Sequence, residues 1–520
     1  MSDNSIIFER DCRFSQLSIW DNQKKYYAAK GIDAWAYDVP SYVTCNPFIA
    51  RQYAWTTICF IRDWTQSNLP ATDQPFYIFE LGSGTGQFSF YFLKNLVQFQ
   101  EILSCQSIKI HYVMTDITAS LFDFWKDHPA LKPFVDSGLL DFAIQDINND
   151  IDFTLQLSGN NITSSSINNP PIVIANYIFD SLSTDLFQVK DGKLYEVLVS
   201  LKTKSDNLVD GVFQDITKVQ FDYQSKLVSE KYYQDEFDAV LFQYQTDLVD
   251  TYFQFPITLL TAMNKLKRLS NDRFLLISSD KGYSTLAELD HLEYPELTFH
   301  GNCFSTMVNY HALSQYAKLT QGDFQVQAFR DFIISGVFAT GFSMKKLPML
   351  NAAAFEMIDR FSPVDYFEVY KNVESNHPQA TLEEMLSFLN LSNWDCRLFS
   401  EICDHLIELT EKANPDSLLF LLKNIHNITD NFYYFPNCTD VYFNIAILYQ
   451  GVHDFEDAII YYQKSIAIFG ESDVVLFNIA MCYYSLDKKS GALDYLKRAL
   501  AINPDLPQIK NMIDVIQGGS

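Results

Sequence analysis

The chain has 520 residues, 48% of them hydrophobic and 20% charged, and its 64 acidic against 38 basic side chains give a formal net charge of −26. That length exceeds one core of ordinary size and predicts two or three globular domains. The acidic balance repels nucleic acid unless a dense basic block overrides it, and the only locally basic run, KLKR at 265–268, reads as a solvated helix face.

The N-terminus, MSDNSIIFERDC, lacks the basic start and long apolar run of a secretory signal, and no run of about 18 apolar residues occurs, so a cytoplasmic chain with no membrane partner is expected. Nine cysteines occur singly from Cys12 to Cys482 without a C-x-x-C pair, and nine histidines are dispersed. Free thiols in a reducing compartment, and no metal site, follow from that spacing.

Apolar runs rich in Ile, Val, Phe and Tyr alternate with helical stretches through the first part, which points to an α/β sheet. The expected strands are FYIFEL (76–81), IKIHYVMTD (108–116), LLDFAIQD (139–146), PIVIAN (171–176) and RFLLISSD (273–280). SGNNITSSSINNPP (158–171) reads as a surface loop. The piece from about 190 to 270 is too long for a plain crossover and predicts an inserted subdomain or lid.

Beyond about residue 350 helical periodicity takes over. FNIA occurs at 443–446 and again at 477–480, an offset of 477 − 443 = 34, which also relates Tyr449 to Tyr483, Ala458 to Ala492 and Tyr461 to Tyr495. With Pro504 closing the second unit, this resembles the tetratricopeptide repeat, a protein-binding module. Residues 383–428 are expected to supply degenerate hairpins, and LPQIKNMIDVIQ (506–517) a capping helix.

The first strand leads into ELGSGTGQF, where Gly82, Gly84 and Gly86 alternate after Glu80. Such a turn lets a ligand approach the backbone closely. A dinucleotide fingerprint needs glycine at position 87, where Gln87 stands, and no G-K-[ST] follows for a phosphate-binding loop. Asp116 and Asp146 close the second and third runs, and an acid there serves either a ligand or a helix cap.

This order of glycines and acids resembles the class I S-adenosylmethionine-dependent methyltransferases. The resemblance implies that Glu80 lies near the amino end of the cofactor, Asp116 receives the ribose hydroxyls and Asp146 the adenine amino group. Asn169-Pro170-Pro171-Ile172 imitates the target-nitrogen box of amino methyltransferases but precedes the fourth strand instead of following it. The post-strand segment is ANYIFDSLSTDLFQV (175–189), and it resembles the corresponding segment of the MidA-type methyltransferases, whose mitochondrial relatives methylate an arginine during complex I assembly. KYYAAKGIDAWAYDVPSYVTCNPFIARQYA (25–54), LLISSDKGYS (275–284) and TMVNYHALSQYA (306–317) resemble further pieces of that family in order. The family's glutamate is replaced by Tyr177, its proline by Ser183 or Thr184, and its strand-end aspartate by Ser278 or Ser279.

The expected architecture is a Rossmann-like α/β methyltransferase sheet with an inserted subdomain, then an all-α repeat domain. Its expected limits are 1–70 for an N-terminal helical or lid element, 71–345 for the methyltransferase domain, 346–434 for helical linker or degenerate repeats, and 435–520 for the repeats and cap. S-adenosyl-L-methionine is the expected cofactor, with Glu80, Gly82, Gly84, Gly86, Asp116 and Asp146 around it. Asn176 and Asp180 are the expected catalytic residues and a protein side chain the expected acceptor, the partner being recruited by the repeat groove. The alternative is a repeat scaffold carrying an inactive methyltransferase-like domain.

Overall fold

The computed structural model describes residues 5–35, 42–67, 73–149, 151–233, 235–295, 297–328 and 333–518. Residues 36–41, inside the segment 25–54 that carries part of the family resemblance, lie outside the described residues. The chain divides into two compact units, Met1–Phe367 and Glu368–Ser520.

The first unit opens with β1 (Ser5–Arg13), α1 (Ser18–Lys30) and α2 (Pro47–Gln66), followed by β2 (Phe76–Leu81), α3 (Gln87–Ile102), β3 (Ile110–Asp116), β4 (Leu140–Ile144) and β5 (Ile172–Asn176). Next come β6 (Asp185–Lys190), β7 (Lys193–Lys204), β8 (Gln220–Leu227), β9 (Thr251–Phe255), β10 (Phe274–Tyr283), β11 (Phe324–Val326) and β12 (Ile333–Thr340). The main sheet runs β11-β12-β10-β5-β2-β3-β4. Its strands are parallel from β4 to β10, and β12 lies antiparallel beside β10. Both faces are covered, which is why β2, β3 and β5 are almost uniformly buried and read as continuous apolar runs. The chain steps outward from β2 to β3 and β4, then returns to β5 on the other side of β2. That reversal opens a crevice beyond the carboxyl ends of the strands.

The insertion is a second, antiparallel sheet in which β1, β7, β6 and β9 follow one another and β8 also pairs with β7. The N-terminus, expected as a helical or lid element, begins as a strand that pairs from Ser5 opposite Lys204 to Arg13 opposite Leu198 and continues into α1 and α2. The pairing supplies partners for backbone groups of β7 that no local helix could reach. Arg13 secures its end with a 3.1 Å bond from Nε to Glu196 Oε1. α1 follows directly, and its buried Trp20 packs at 4.8 Å between ring centroids on Phe304.

In the second unit, α4 (Val441–Gly451) and α5 (Phe455–Phe469) form one hairpin, α6 (Asp473–Ser485) and α7 (Lys489–Ile502) another, and α8 (Pro507–Gly518) closes the array. The 34-residue register is visible as duplicated packing. Ala446, Ala458, Ala480 and Ala492 are all buried, and Tyr449 stacks on Tyr461 at 5.3 Å as Tyr483 stacks on Tyr495 at 5.5 Å. Ile509 and Ile516 of α8 cover the apolar cluster around Leu496. Side-chain caps from Asp440, Asp454 and Ser472 start α4, α5 and α6. Because Ala480 is buried in the cluster around Leu496, Ala480→Leu is expected to lower the stability of the repeat transition by about 1–3 kcal/mol through overpacking, read by urea denaturation.

Candidate functional site

A cavity of about 480 Å³ occupies the crevice where the strand order reverses. Its floor is the glycine turn after β2. Gly82 and Gly84 have φ of +66° and +51°, and a Cβ on Gly82 would lie 2.8 Å from Ile178 Cδ1, one on Gly84 3.0 Å from the Trp35 ring. The positive φ values are what favour glycine in this turn, and Ile178 and Trp35 fill the space beside it. Gly86 is not in the cavity wall; with φ of 81° it is the N-cap residue of α3.

Three of the wall's acids belong to the first three parallel strands or the loop after them. Glu80 is buried at the end of β2, and its Oε2 accepts from Tyr112 OH at 2.7 Å and from Ser89 Oγ. Burial raises its pKa, while these hydrogen bonds act in the opposite direction. Asp116, the last residue of β3, accepts from Gly84 N at 3.3 Å and Thr118 N at 3.1 Å. Burial pushes its carboxyl up to about 6.

Asp146 lies two residues beyond β4 rather than on it, because its Oδ1 folds back to accept from Asn148 N at 2.9 Å and Asn148 Nδ2 at 2.6 Å. Lys24 of α1 reaches its Oδ2 at 3.0 Å. Burial alone would raise this carboxyl, but Asn148 and Lys24 hold it below the usual range. Lys24 and Tyr27 line the cavity from α1, together with Trp35, whose ring centre stands 5.5 Å from that of Tyr27.

Beyond β5 the two expected catalytic residues part company. Asn176 is in the cavity wall, with Oδ1 held by Tyr53 OH at 2.8 Å and Ser279 N at 3.3 Å. Tyr177 follows it with φ of +49°, an uncommon backbone for an aromatic residue, and also faces the cavity. Asp180 is buried and is not in the wall. Its carboxylate accepts from Ser181 Oγ at 2.9 Å and lies 3.9 Å from Lys281 Nζ, and only Ser181 of this group faces the cavity. Burial raises the Asp180 carboxyl to about 6 against the pull of Lys281. Asn169, of the rejected box, sits before β5 and donates to Gln74 O at 3.2 Å, away from the cavity.

Sequence reasoning overlooked four residues here: Lys24, Tyr53, Asp280 and Lys281. Asp280 is fully buried on β10 and accepts from Phe179 N at 2.9 Å, Asp180 N at 3.1 Å and Lys281 N at 2.8 Å, which shapes the turn after β5. Burial and then the nearby Asp180 charge raise its pKa well above the carboxylate range. The signal was present, since RFLLISSD is a fourth apolar run closing on an acid. Tyr53 lies in the family-like segment 25–54 but carries no motif of its own.

Two family models match the chain. Residues 57–282 match a family described as "Putative S-adenosyl-L-methionine-dependent methyltransferase", and residues 437–505 match the tetratricopeptide repeat. The first unit is a methyltransferase fold, and S-adenosylmethionine is its cofactor. Tetratricopeptide repeats generally mediate protein–protein contacts. No curated protein matches. Among solved structures, a superfamily member from Burkholderia thailandensis bound to S-adenosyl-homocysteine is 12% identical with a TM-score of 0.38, the match covering 75% of this chain and 84% of that one. An uncharacterised protein from the same organism is 10% identical with a TM-score of 0.37 (62% and 93% covered). The N-methyltransferase NodS from Bradyrhizobium japonicum WM9, in complex with S-adenosyl-l-homocysteine, is 8% identical with a TM-score of 0.26 (63% and 100% covered).

The wall suits that cofactor: buried acids offer acceptors to hydroxyl and amino groups, and two buried amide nitrogens of the wall, Asn176 Nδ2 and Gln23 Nε2, have no protein partner. Among the described residues no cluster of three metal-ligating side chains occurs, and no helix is long and apolar enough to cross a membrane. Gly82→Val combines a forbidden φ with the Ile178 contact, so a stability loss of about 2 kcal/mol or more is expected in thermal melting of the first unit.

Proposed function

We propose that the first unit transfers a methyl group from S-adenosylmethionine to a protein side chain, and that the repeats recruit the substrate or its complex. The observation that carries this reading is the single cavity uniting Glu80, Gly82, Gly84, Asp116 and Asp146 at the strand reversal. In this reading Asp116 receives the ribose hydroxyls, Asp146 the adenine amino group, and Glu80 the ammonium of the amino-acid arm. When bound, the cofactor supplies an electrophilic methyl group on a sulfonium.

The chain then has to orient the acceptor in line with that methyl, keep water out and hold the departing proton. The aromatic side chains Trp20, Tyr27, Trp35 and Tyr177 in the wall suit the exclusion of water. Asn176 stands at the carboxyl end of β5, in the middle of the sheet, facing the cavity. Asp180 takes the proton through Ser181, whose hydroxyl bridges it to the cavity, and Lys281 favours its ionised form. The MidA-type resemblance makes a guanidinium the first acceptor to try.

Calorimetry on the full chain with S-adenosylmethionine and S-adenosylhomocysteine tests the cofactor site, and transfer of tritiated methyl to lysate proteins tests the reaction. Removal of residues 435–518 is expected to leave cofactor affinity intact and to reduce labelling. Binding without labelling of any protein would favour the scaffold reading, and failure to bind either compound would end the methyltransferase reading.

The Asp116 carboxyl supplies a pH test. Hydroxyl groups donate to its ionised form, so affinity for S-adenosylhomocysteine is expected to fall as pH drops from 7 through about 6. The contribution of this buried acid to folding has the opposite sign: its raised pKa makes ionisation unfavourable, and lowering the pH through about 6 relieves that cost. Asp116→Asn is expected to bind about tenfold more weakly at pH 7 and to lose the part of the pH dependence centred near 6.

A further inference from the structure

Asn176 ends β5, and its amide orientation is set by chemistry that permits one answer. The backbone N–H of Ser279 on neighbouring β10 faces Oδ1 at 3.3 Å, and the Tyr53 hydroxyl donates to the same oxygen at 2.8 Å. A backbone N–H only donates, so the atom facing it is the carbonyl oxygen and not the amino group. Tyr53 is itself held by Ser279 Oγ at 2.7 Å, and Ser279 Oγ by Ser335 Oγ at 2.6 Å. Oδ1 therefore has both of its acceptor positions taken, whereas Nδ2 is buried without a partner. An unpaired buried donor is costly and points to a ligand that completes it. The arrangement also rules out Asn176 as an acceptor for an N–H of the methyl-receiving group.

Strand register identifies what accompanies this donor. Glu80 lies opposite Ile174 across β2 and β5, and Ile174 and Asn176, two residues apart, share a face of the sheet. Glu80 and Asn176 thus stand on one face, and both line the cavity. Ser89 and Tyr112 donate to Oε2 of Glu80, and Ser83 also hydrogen-bonds its carboxylate. A carboxylate and an unpaired N–H donor on one sheet face of one cavity match a zwitterion.

Building on the cofactor reading above, we infer that Asn176 donates from Nδ2 to the carboxylate of the cofactor's amino-acid arm, while Glu80 faces its ammonium. Asn176 is then a cofactor-binding residue that sets the position of the sulfonium, held in register by Tyr53 and Ser279. Ser279 supplies both parts of this device, the N–H that orients the amide and the hydroxyl that holds Tyr53.

The test is calorimetry of the full chain with S-adenosylhomocysteine and with its decarboxylated analogue, which keeps the thioether and the ammonium. The unaltered protein is expected to bind the decarboxylated compound about tenfold or more weakly. Asn176→Asp keeps an oxygen toward Tyr53 and Ser279 and replaces the donor by a second oxygen. In this variant S-adenosylhomocysteine is expected to lose its advantage and to bind no more tightly than the decarboxylated compound, since two carboxylates then face each other. Asn176→Ala, checked for folding by thermal melting, is expected to lose the same preference. Retention of the full preference by either folded variant, or no preference in the unaltered protein, overturns the assignment. If neither compound binds the unaltered protein, the cofactor reading fails with it.

Discussion

The return of the chain to the other side of β2 is the constraint on which the first unit depends. Parallel strands need long crossovers, and when successive crossovers leave in opposite directions the connecting segments at the carboxyl ends must diverge. Here the divergence separates the glycine turn after β2 from the segment after β5 and leaves a cavity between them. The glycines, the strand-end acids and the Asn176 amide are all ways of lining a gap that topology has already opened.

Burying acids at such a place is unfavourable unless each finds donors, and the acids differ in how they do so. Asp116 and Asp280 take backbone N–H groups, so each also fixes the course of a turn: the glycine loop in one case, the start of the Phe179–Ser181 turn in the other. Asp146 instead takes Asn148 and the α1 lysine, and it remains the least buried of the three. Each of these carboxylates has a protein donor on both oxygens, so its position is fixed before any ligand arrives. Asp180 lies outside this pattern. Its partners are Ser181 and Lys281, which places it behind the wall and connects it to the cavity through one hydroxyl.

The second unit obeys a simpler rule. Small residues recur where helices approach closely, and tyrosines recur where two helices of a hairpin leave room for stacked rings. Each hairpin leaves an apolar face that the next element covers, and α8 covers the last one. Stability is then built from nearest neighbours, and the sequence period and the structural period coincide.

The parallel strands, the glycine turn and the repeat were legible in the amino-acid sequence because each follows from local pattern: apolar runs of strand length, glycines at positions of positive φ, and alanines 34 residues apart. The acids Glu80, Asp116 and Asp146 were legible for the same reason, as polar residues at or just beyond the ends of apolar runs. Other features depended on residues far apart in the chain. Whether Asp180 faces the cavity is decided by Asp280 and Lys281, about a hundred residues on, which draw the turn after β5 toward β10. That Asn176 has only a donor to offer is decided by Tyr53 and Ser279, which no spacing rule connects to it. The N-terminal strand likewise exists because β7 offers it an edge. Local sequence determines which elements form and which side chains stand at their ends; the direction in which those side chains point, and which of their atoms stay open for a ligand, is set by hydrogen bonds that only the assembled tertiary structure brings within reach.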